Sequence, residues 1–386
     1  MAALPPLSTD LYLAIFPQIA ASLHQGTAAM GYTISLFLAS YGLAQLIIGP
    51  LTDRYGRRLV GVIGVSVFVL AALVCGLSNS LPVMICARIL QGAGAASGSV
   101  LALAITRDQF EGIQGQRRLA DLNAAQAVAP MIAPALGGMV CSVLGWRWNF
   151  YLLAVGGVLL VLRFLLGFNE SFAGHRRLQS FTPGTVIAQY RQLLAGHRTL
   201  FYCLMNASLT AMLLAFLAGS ATVFRETNLL SAAQYSLLLG LIALGSVAGS
   251  LLAHRMNCGV VTPSWLFALI IIPAVLANGM LLCLAFTGRM YVLLALPLLV
   301  IMSLCFGFVM PLLANAVMAP AGEQAGMAAA LLGASAMLGG AIGSGLVSLS
   351  VGSAAVRMAL VMTLASGLAV LQSFIVRDRS HDCAGD

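Results

Sequence analysis

The sequence predicts an all-α membrane protein of twelve transmembrane helices in two pseudo-symmetric six-helix halves. Three observations predict it. Hydrophobic residues make up 60% of the 386-residue chain and charged residues only 8%, where soluble domains carry about 25% charged residues. Twelve apolar stretches of spanning length recur, at roughly 2–22, 30–50, 59–78, 83–105, 122–143, 149–168, 201–222, 232–253, 263–286, 291–313, 326–348 and 355–376. One long polar stretch, 169–200, divides six of them from the other six. Lipid offers the backbone no hydrogen-bond partner, so stretches of this length must be helical. The expected organisation is a first half at 1–168, a linker at 169–200, a second half at 201–376 and a tail at 377–386.

The first span is the most informative. Between Met1 and Ser22 Asp10 is the sole charged side chain, and nine residues of helix before it amount to roughly 13 Å against a hydrocarbon core of about 30 Å. A charge near the midplane costs about 2.5–3.5 kcal/mol on insertion scales, so such a residue reads by default as part of an ion or substrate pathway. The amino terminus has no basic n-region, and the segment reads as a span and not as a signal peptide.

Arginine supplies every positive side chain, since the chain contains no Lys, and the net charge is +8. Arg54, Arg57, Arg58, Arg107, Arg117, Arg118, Arg176, Arg177, Arg191, Arg198, Arg255, Arg377 and Arg379 fall on one side, whereas Arg147, Arg225, Arg289 and Arg357 fall on the other. The positive-inside bias places both termini and the linker in the cytoplasm of a cell (inner) membrane protein. These arginines sit in short loops without aromatic interleaving, which favours membrane lipids as partners and argues against nucleic acid. Eight Cys and five His are scattered, so no metal site and no cofactor are expected.

The linker carries His175-Arg176-Arg177, and from about Thr182 to His197 its periodicity predicts an amphipathic helix with Val186, Ile187, Tyr190, Leu193 and Leu194 on the apolar side. The six-plus-six plan suggests duplicated halves with a site between them. Every acidic residue expected inside a span lies in the first half, so that half is expected to handle protons while the second supplies apolar surface.

Between spans two and three runs Gly49-Pro50-Leu51-Thr52-Asp53-Arg54-Tyr55-Gly56-Arg57-Arg58. A tight turn there needs Gly, and Asp53 with Arg57 can form a charge latch between helix ends, flanked by Arg54 and Arg58. The string resembles the signature loop of the major facilitator superfamily. The copy expected between spans eight and nine is reduced to Ala253-His254-Arg255. Arg88-Ile89-Leu90-Gln91-Gly92 in span four resembles the intramembrane arginine motif of drug:proton antiporters. In span five, Ala127 to Gly138 resembles the antiporter motif through Pro130, Pro134, Gly137 and Gly138, with Ala133 where Gly is usual. Ser8 to Pro17 resembles the first span of the bicyclomycin and chloramphenicol resistance (Bcr/CflA-like) branch, with Ala14 where Pro is usual.

The resemblance implies alternating access in a proton-coupled secondary transporter that exports small hydrophobic or cationic compounds, with protons as coupling ion and no other cofactor. Asp10 is the expected proton and substrate carboxylate, and Arg88 is expected to stabilise the charged form of Asp10 or of a substrate-borne acid. The latch is expected to favour the outward-open state. Cavity-lining candidates are Tyr12, Tyr41, Gln45, Gln91, Asn123 and Gln126 in the first half, with Asn206, Met212, Phe216, Phe306 and Met310 across the repeat. The alternative is a proton-coupled transporter of a specific metabolite, such as a nucleoside or sugar. A membrane receptor fits the latch loop less well, and an embedded enzyme lacks a nucleophile–base or metal constellation. A monomer is expected.

Overall fold

The computed structural model describes residues 1, 3–110, 112–167, 183–227, 230, 232–256, 264–349 and 352–382. Twelve long helices take the places of the twelve apolar stretches: α1 (Leu4–Ser22), α2 (Thr27–Tyr55), α3 (Arg57–Leu77), α4 (Leu81–Gln109), α5 (Gly112–Leu144), α6 (Arg147–Gly167), α8 (His197–Ser220), α9 (Ala232–Arg255), α10 (Ser264–Phe286), α11 (Val292–Met318), α12 (Ala325–Val347) and α13 (Ala354–Asp382). A shorter helix, α7 (Pro183–Ala195), precedes α8. Among the described residues there is no strand, and ten helices are long and apolar enough to cross a membrane.

Local chemistry explains the helix starts. Proline occupies the first turn of α1 and of α4, where its missing N–H removes a donor that would have no intrahelical partner. A π-helical turn, Ala221–Thr227, extends α8, and a 3-10 turn, Ala319–Gln324, joins α11 to α12. Helices α2 and α4 outrun their apolar stretches, because hydropathy marks the part in hydrocarbon while the helix itself continues beyond it.

The turn between α2 and α3 corrects the sequence expectation. Gly49 lies inside α2, and a Cβ there would meet nothing within 4 Å. Gly56 alone separates the two helices, with φ of 92°. That left-handed backbone angle is costly for a residue with a Cβ, so Gly56 is the glycine the turn requires.

The chain forms two compact units, Met1–Ala188 and Gln189–Asp386. In the first, α1 packs on α5, α2 on α4, and α3 on both α4 and α6. The second repeats the scheme one half later, with α8 on α12, α9 on α11 and α10 on α13. Close crossings depend on glycine. A Cβ on Gly92 would collide with the Phe37 carbonyl and Ser40 Oγ of α2, and one on Gly339 or Gly343 would collide with the α8 backbone at Ala207 or Ala211. Small residues at such points let membrane helices approach without a hydrophobic force between them.

Candidate functional site

Arg88 lies within the first unit and is 0% exposed. Its guanidinium is clamped face-on by two rings, with the carbon 4.4 Å from the Tyr12 centroid on α1 and 4.1 Å from the Phe37 centroid on α2. Cation–π attraction of this kind contributes about 0.5–2 kcal/mol per ring, more where water is excluded. Nη1 donates to Gln91 Oε1 at 2.7 Å and to Ser8 Oγ at 3.3 Å. Nε and Nη2 are buried without a partner. These two nitrogens form the edge of the guanidinium that grips a carboxylate with two parallel bonds. Gly92 is what makes the clamp possible, since its missing side chain lets α4 come close enough to α2 for Arg88 to reach Phe37.

Ser8 and Tyr12 stand one turn apart on α1, so they share a face, and that face meets Arg88. Asp10 falls about 200° around the helix from each. Among the described residues Arg88 has no carboxylate within ion-pair distance, and the bond expected from Arg88 to Asp10 is not made. Helical geometry is the reason: one α1 face cannot present the hydroxyl, the ring and the carboxylate together. Asp10 itself is 9% exposed, with Oδ2 buried and unpartnered.

The clamp continues along α2. Thr33, Phe37, Tyr41 and Gln45 recur every four residues and form one face. Thr33 pairs with the Tyr12 hydroxyl, Phe37 stacks on Tyr41 at 6.3 Å, and the Tyr41 hydroxyl donates to Ser99 Oγ on α4 at 2.9 Å. Gln45 Oε1 is buried and unpartnered, as is Gln91 Nε2. Cys75 Sγ, on α3, lies 3.9 Å from Gln91 Oε1. Four helices thus converge on one buried cation.

The motif in α5 divides by function of its glycines. A Cβ on Gly137 would lie 3.0 Å from the Leu11 carbonyl oxygen, beside Asp10, whereas one on Gly138 would meet nothing within 4 Å. Asn149 of α6 donates to the Gly137 carbonyl at 3.3 Å. Gln126 is exposed. The side chains of Asn123, Pro130 and Pro134 lie outside the described residues.

At the other end of α2, Arg57 pairs with Asp53 and with Asp108 at 3.0 Å, and Nη1 donates to Thr52 Oγ1 at 2.6 Å. The Arg57 side chain is only 7% exposed and Asp108 is 19% exposed, so that pair is partly shielded from salt, whereas Asp53 is 42% exposed and its pair is open to screening. The network ties the end of α2, the start of α3 and the end of α4. Arg58 caps the carboxyl end of α6 through the carbonyls of Phe164 and Leu165 at 3.1 and 2.6 Å, where a cation complements the helix dipole. Arg54 lies over the Tyr55 ring at 5.0 Å.

In the second unit, Asn206 is committed to packing: Nδ2 donates to the Leu332 carbonyl at 2.8 Å and to Ser335 Oγ at 3.1 Å. Met212 and Phe216 are fully buried in α8. Phe306 and Met310, one turn apart on α11, keep partial exposure. Sequence reasoning missed Ser8, Thr33, Phe37 and Asp108. The spacing of Ser8 to Tyr12 and the Arg107-Asp108 pair at the end of span four were usable signals, whereas Phe37 looks like any apolar residue. Among the described residues no group of His, Cys, Asp and Glu is placed to hold a metal ion.

Two similarly packed six-helix units, a buried cation and a charged α2–α3 joint define an integral membrane transporter. The sequence pattern of the Major Facilitator Superfamily matches residues 2–344, and the chain belongs to that superfamily. It is 31% identical over 376 residues to the MFS-type transporter YdgK of Bacillus subtilis (strain 168), covering 97% of this chain and 92% of that one. It is 30% identical over 383 residues to multidrug resistance protein D of Escherichia coli (strain K12), covering 96% and 92%. A crystal structure of the nucleoside transporter NupG shares the fold, with a TM-score of 0.70 at 14% identity over 97% of each chain.

Proposed function

We propose that this transporter exports small hydrophobic or cationic compounds in exchange for protons, by alternating access, with both termini in the cytoplasm. The observation that carries the reading is Asp10: a carboxyl in the first helix with one oxygen buried and unpartnered. Such a group can take up or release a proton, or meet a cationic substrate, without first breaking a protein bond. Arg88 supplies a second buried charge in the same unit, held by the Tyr12 and Phe37 rings, the Ser8 hydroxyl and the Gln91 amide oxygen, so its place does not depend on how Asp10 is occupied. The full-length likeness to a multidrug resistance protein supports export of toxic compounds.

The test is a growth-protection panel in a strain lacking its own pumps, run with toxic cations, neutral antibiotics and nucleoside analogues. Protection against several unrelated compounds, lost in Asp10→Asn at equal membrane abundance, is the expected result. Protection confined to nucleoside analogues would replace drug export by metabolite transport. Export undiminished in Asp10→Asn would remove Asp10 from the coupling.

A further inference from the structure

Arg163 lies inside the apolar stretch 149–168, as Arg88 lies inside 83–105, yet the fold houses the two in opposite ways. Arg88 is buried where four helices converge, whereas Arg163 is exposed on α6. Leu159, Leu162 and Leu166 are exposed beside it and follow one another at three or four residues, so they form the strip of α6 that meets hydrocarbon. Arg163 falls about 40° around the helix from Leu159, at the border of that strip. Helix α6 ends one turn later at Gly167, about 6 Å along its axis, and Nη1 of Arg163 donates to the Gly167 carbonyl. An arginine so close to a helix end carries its guanidinium to the level of the headgroups. Beside it is a cavity of about 360 Å³, lined by Ile105 and Gln109 of α4, by Leu160, Arg163, Phe164 and Gly167 of α6, and by Met1. Both α4 and α6 pack on α3, and the cavity is the space left between their ends. Helix α6 carries no Asp or Glu. Among the described residues no carboxylate lies within ion-pair distance of Arg163, and Asp108, the acid next to Gln109, pairs with Arg57.

We infer that this cavity binds the headgroup of an anionic phospholipid, with the phosphate on Arg163 and the Gln109 amide and an acyl chain along Leu159 and Leu166. Three features select the occupant. The guanidinium stands at the border of a lipid-facing strip, so the anion that reaches it most readily is one carried by a lipid. Its planar fork suits a phosphate, which it can hold through two parallel bonds, and ligand cavities run from about 300 to 1,000 Å³, so this one has room for a headgroup. With no acid among the described residues at the site to receive an ammonium, a lipid of net negative charge such as phosphatidylglycerol is favoured over a zwitterionic one. Assignment to the cytoplasmic leaflet rests on the proposed topology; the lipid contact does not.

The experiment is native mass spectrometry of the full chain, stripped of lipid in detergent and titrated with phosphatidylglycerol or with phosphatidylcholine of the same acyl chains. The first phosphatidylglycerol is expected to bind on the order of 10-fold more tightly than the first phosphatidylcholine, the scale of one charge-assisted contact to an anionic headgroup. Arg163→Gln should erase that preference, and Arg163→Lys, which keeps the charge but loses the fork, should retain part of it. Arg118→Gln, at an exposed arginine paired with Asp121 on the same unit, should leave it unchanged. Inorganic phosphate and glycerol phosphate at millimolar concentration should fail to displace the lipid, because neither carries an acyl chain. Equal binding of the two lipids by the parent chain overturns the inference, as does a preference that survives in Arg163→Gln. An equal loss in Arg118→Gln would mean general charge attraction, and displacement by inorganic phosphate would mean a site for a free anion; either overturns it too. The readout needs no substrate, so it stands or falls separately from drug export.

Discussion

The two units use the same helix-packing scheme but treat their buried polar groups in opposite ways. Among the described residues, six buried side-chain atoms of the first unit lack a hydrogen-bond partner, on Asp10, Gln45, Arg88, Gln91 and Asn149, against one in the second, on Asn278. In the second unit polar side chains mostly stitch helices together. Asn206 joins α8 to α12, Asn278 Nδ2 donates to Ser366 Oγ at 3.1 Å and joins α10 to α13, and Ser220 with Tyr235 at 2.8 Å joins α8 to α9. Leaving a buried polar atom unpaired costs about 1–3 kcal/mol, so the first unit carries more of this cost than the second among the described residues. The comparison teaches that the two units share a packing scheme, while their buried polar groups differ: those of the second mostly join helices and several of the first are left open.

The largest effect that would sharpen this contrast is expected at Arg88. Replacing a buried ion pair by apolar residues is often neutral or stabilising, by about 1–4 kcal/mol, and a buried cation with no carboxylate partner has its desolvation cost even less offset. Arg88→Met should therefore keep the thermal unfolding midpoint at or above that of the parent while transport in everted vesicles falls to background. A lower midpoint with transport retained would make Arg88 a structural keystone and erase the difference between the units. Next comes Gly92→Val. Its side chain must displace the Phe37 carbonyl region of α2, and overpacking of this kind costs about 1–3 kcal/mol. Both unfolding temperature and transport should drop, the second because the clamp around Arg88 opens.

Asn206→Ala probes the other side of the comparison. Loss of its two bonds to α12 should lower stability by about 1–2 kcal/mol, read from detergent-melt curves, with transport per folded molecule unchanged. Reduced transport per folded molecule would assign Asn206 to the substrate path instead. The smallest effect concerns two glycines of one sequence motif, Gly49 within α2 and Gly56 at its end. Gly49→Ala lies inside α2 directly before Pro50, whose ring offsets the helical advantage of a Cβ, so it should change stability by less than about 1 kcal/mol, whereas Gly56→Ala should lower it by about 1–2 kcal/mol because of its left-handed backbone. Equal responses at the two positions would contradict the assignment of the turn to Gly56.

The helices were legible in the sequence because a bilayer forces long apolar runs, and α1 to α6 and α8 to α13 sit where those runs are. What hydropathy could not mark was where helices end outside lipid; α2 continues to Tyr55 through Pro50, which a reader of turns takes as a breaker. The residues around Arg88 were only half legible. Gln91 and Tyr12 carry polar atoms inside spans and stand out, but Phe37 owes its place to the α2–α4 crossing, a tertiary fact set by Gly92. The separation of Asp10 from Arg88 follows from counting residues around α1 once Ser8 and Tyr12 are known to face α4; without that contact the count has no origin. Asp108 was visible beside Arg107 at the end of span four, but its pairing with Arg57, 51 positions away, was not.

The joint at Gly56 has a mechanical meaning. With one residue between them, α2 and α3 have no slack, and Arg57 fastens that joint to the end of α4. A push along α2 cannot be absorbed by a loop; it must be passed to α3 or must break the Arg57 bonds. Phe37, which faces Arg88, and Asp53, at the joint, ride on the same helix, roughly 24 Å apart along its axis. A tilt of α2 at the arginine clamp therefore reaches the charged joint through one continuous helix, with Pro50, where the ladder lacks one backbone bond, as the place along it that can flex.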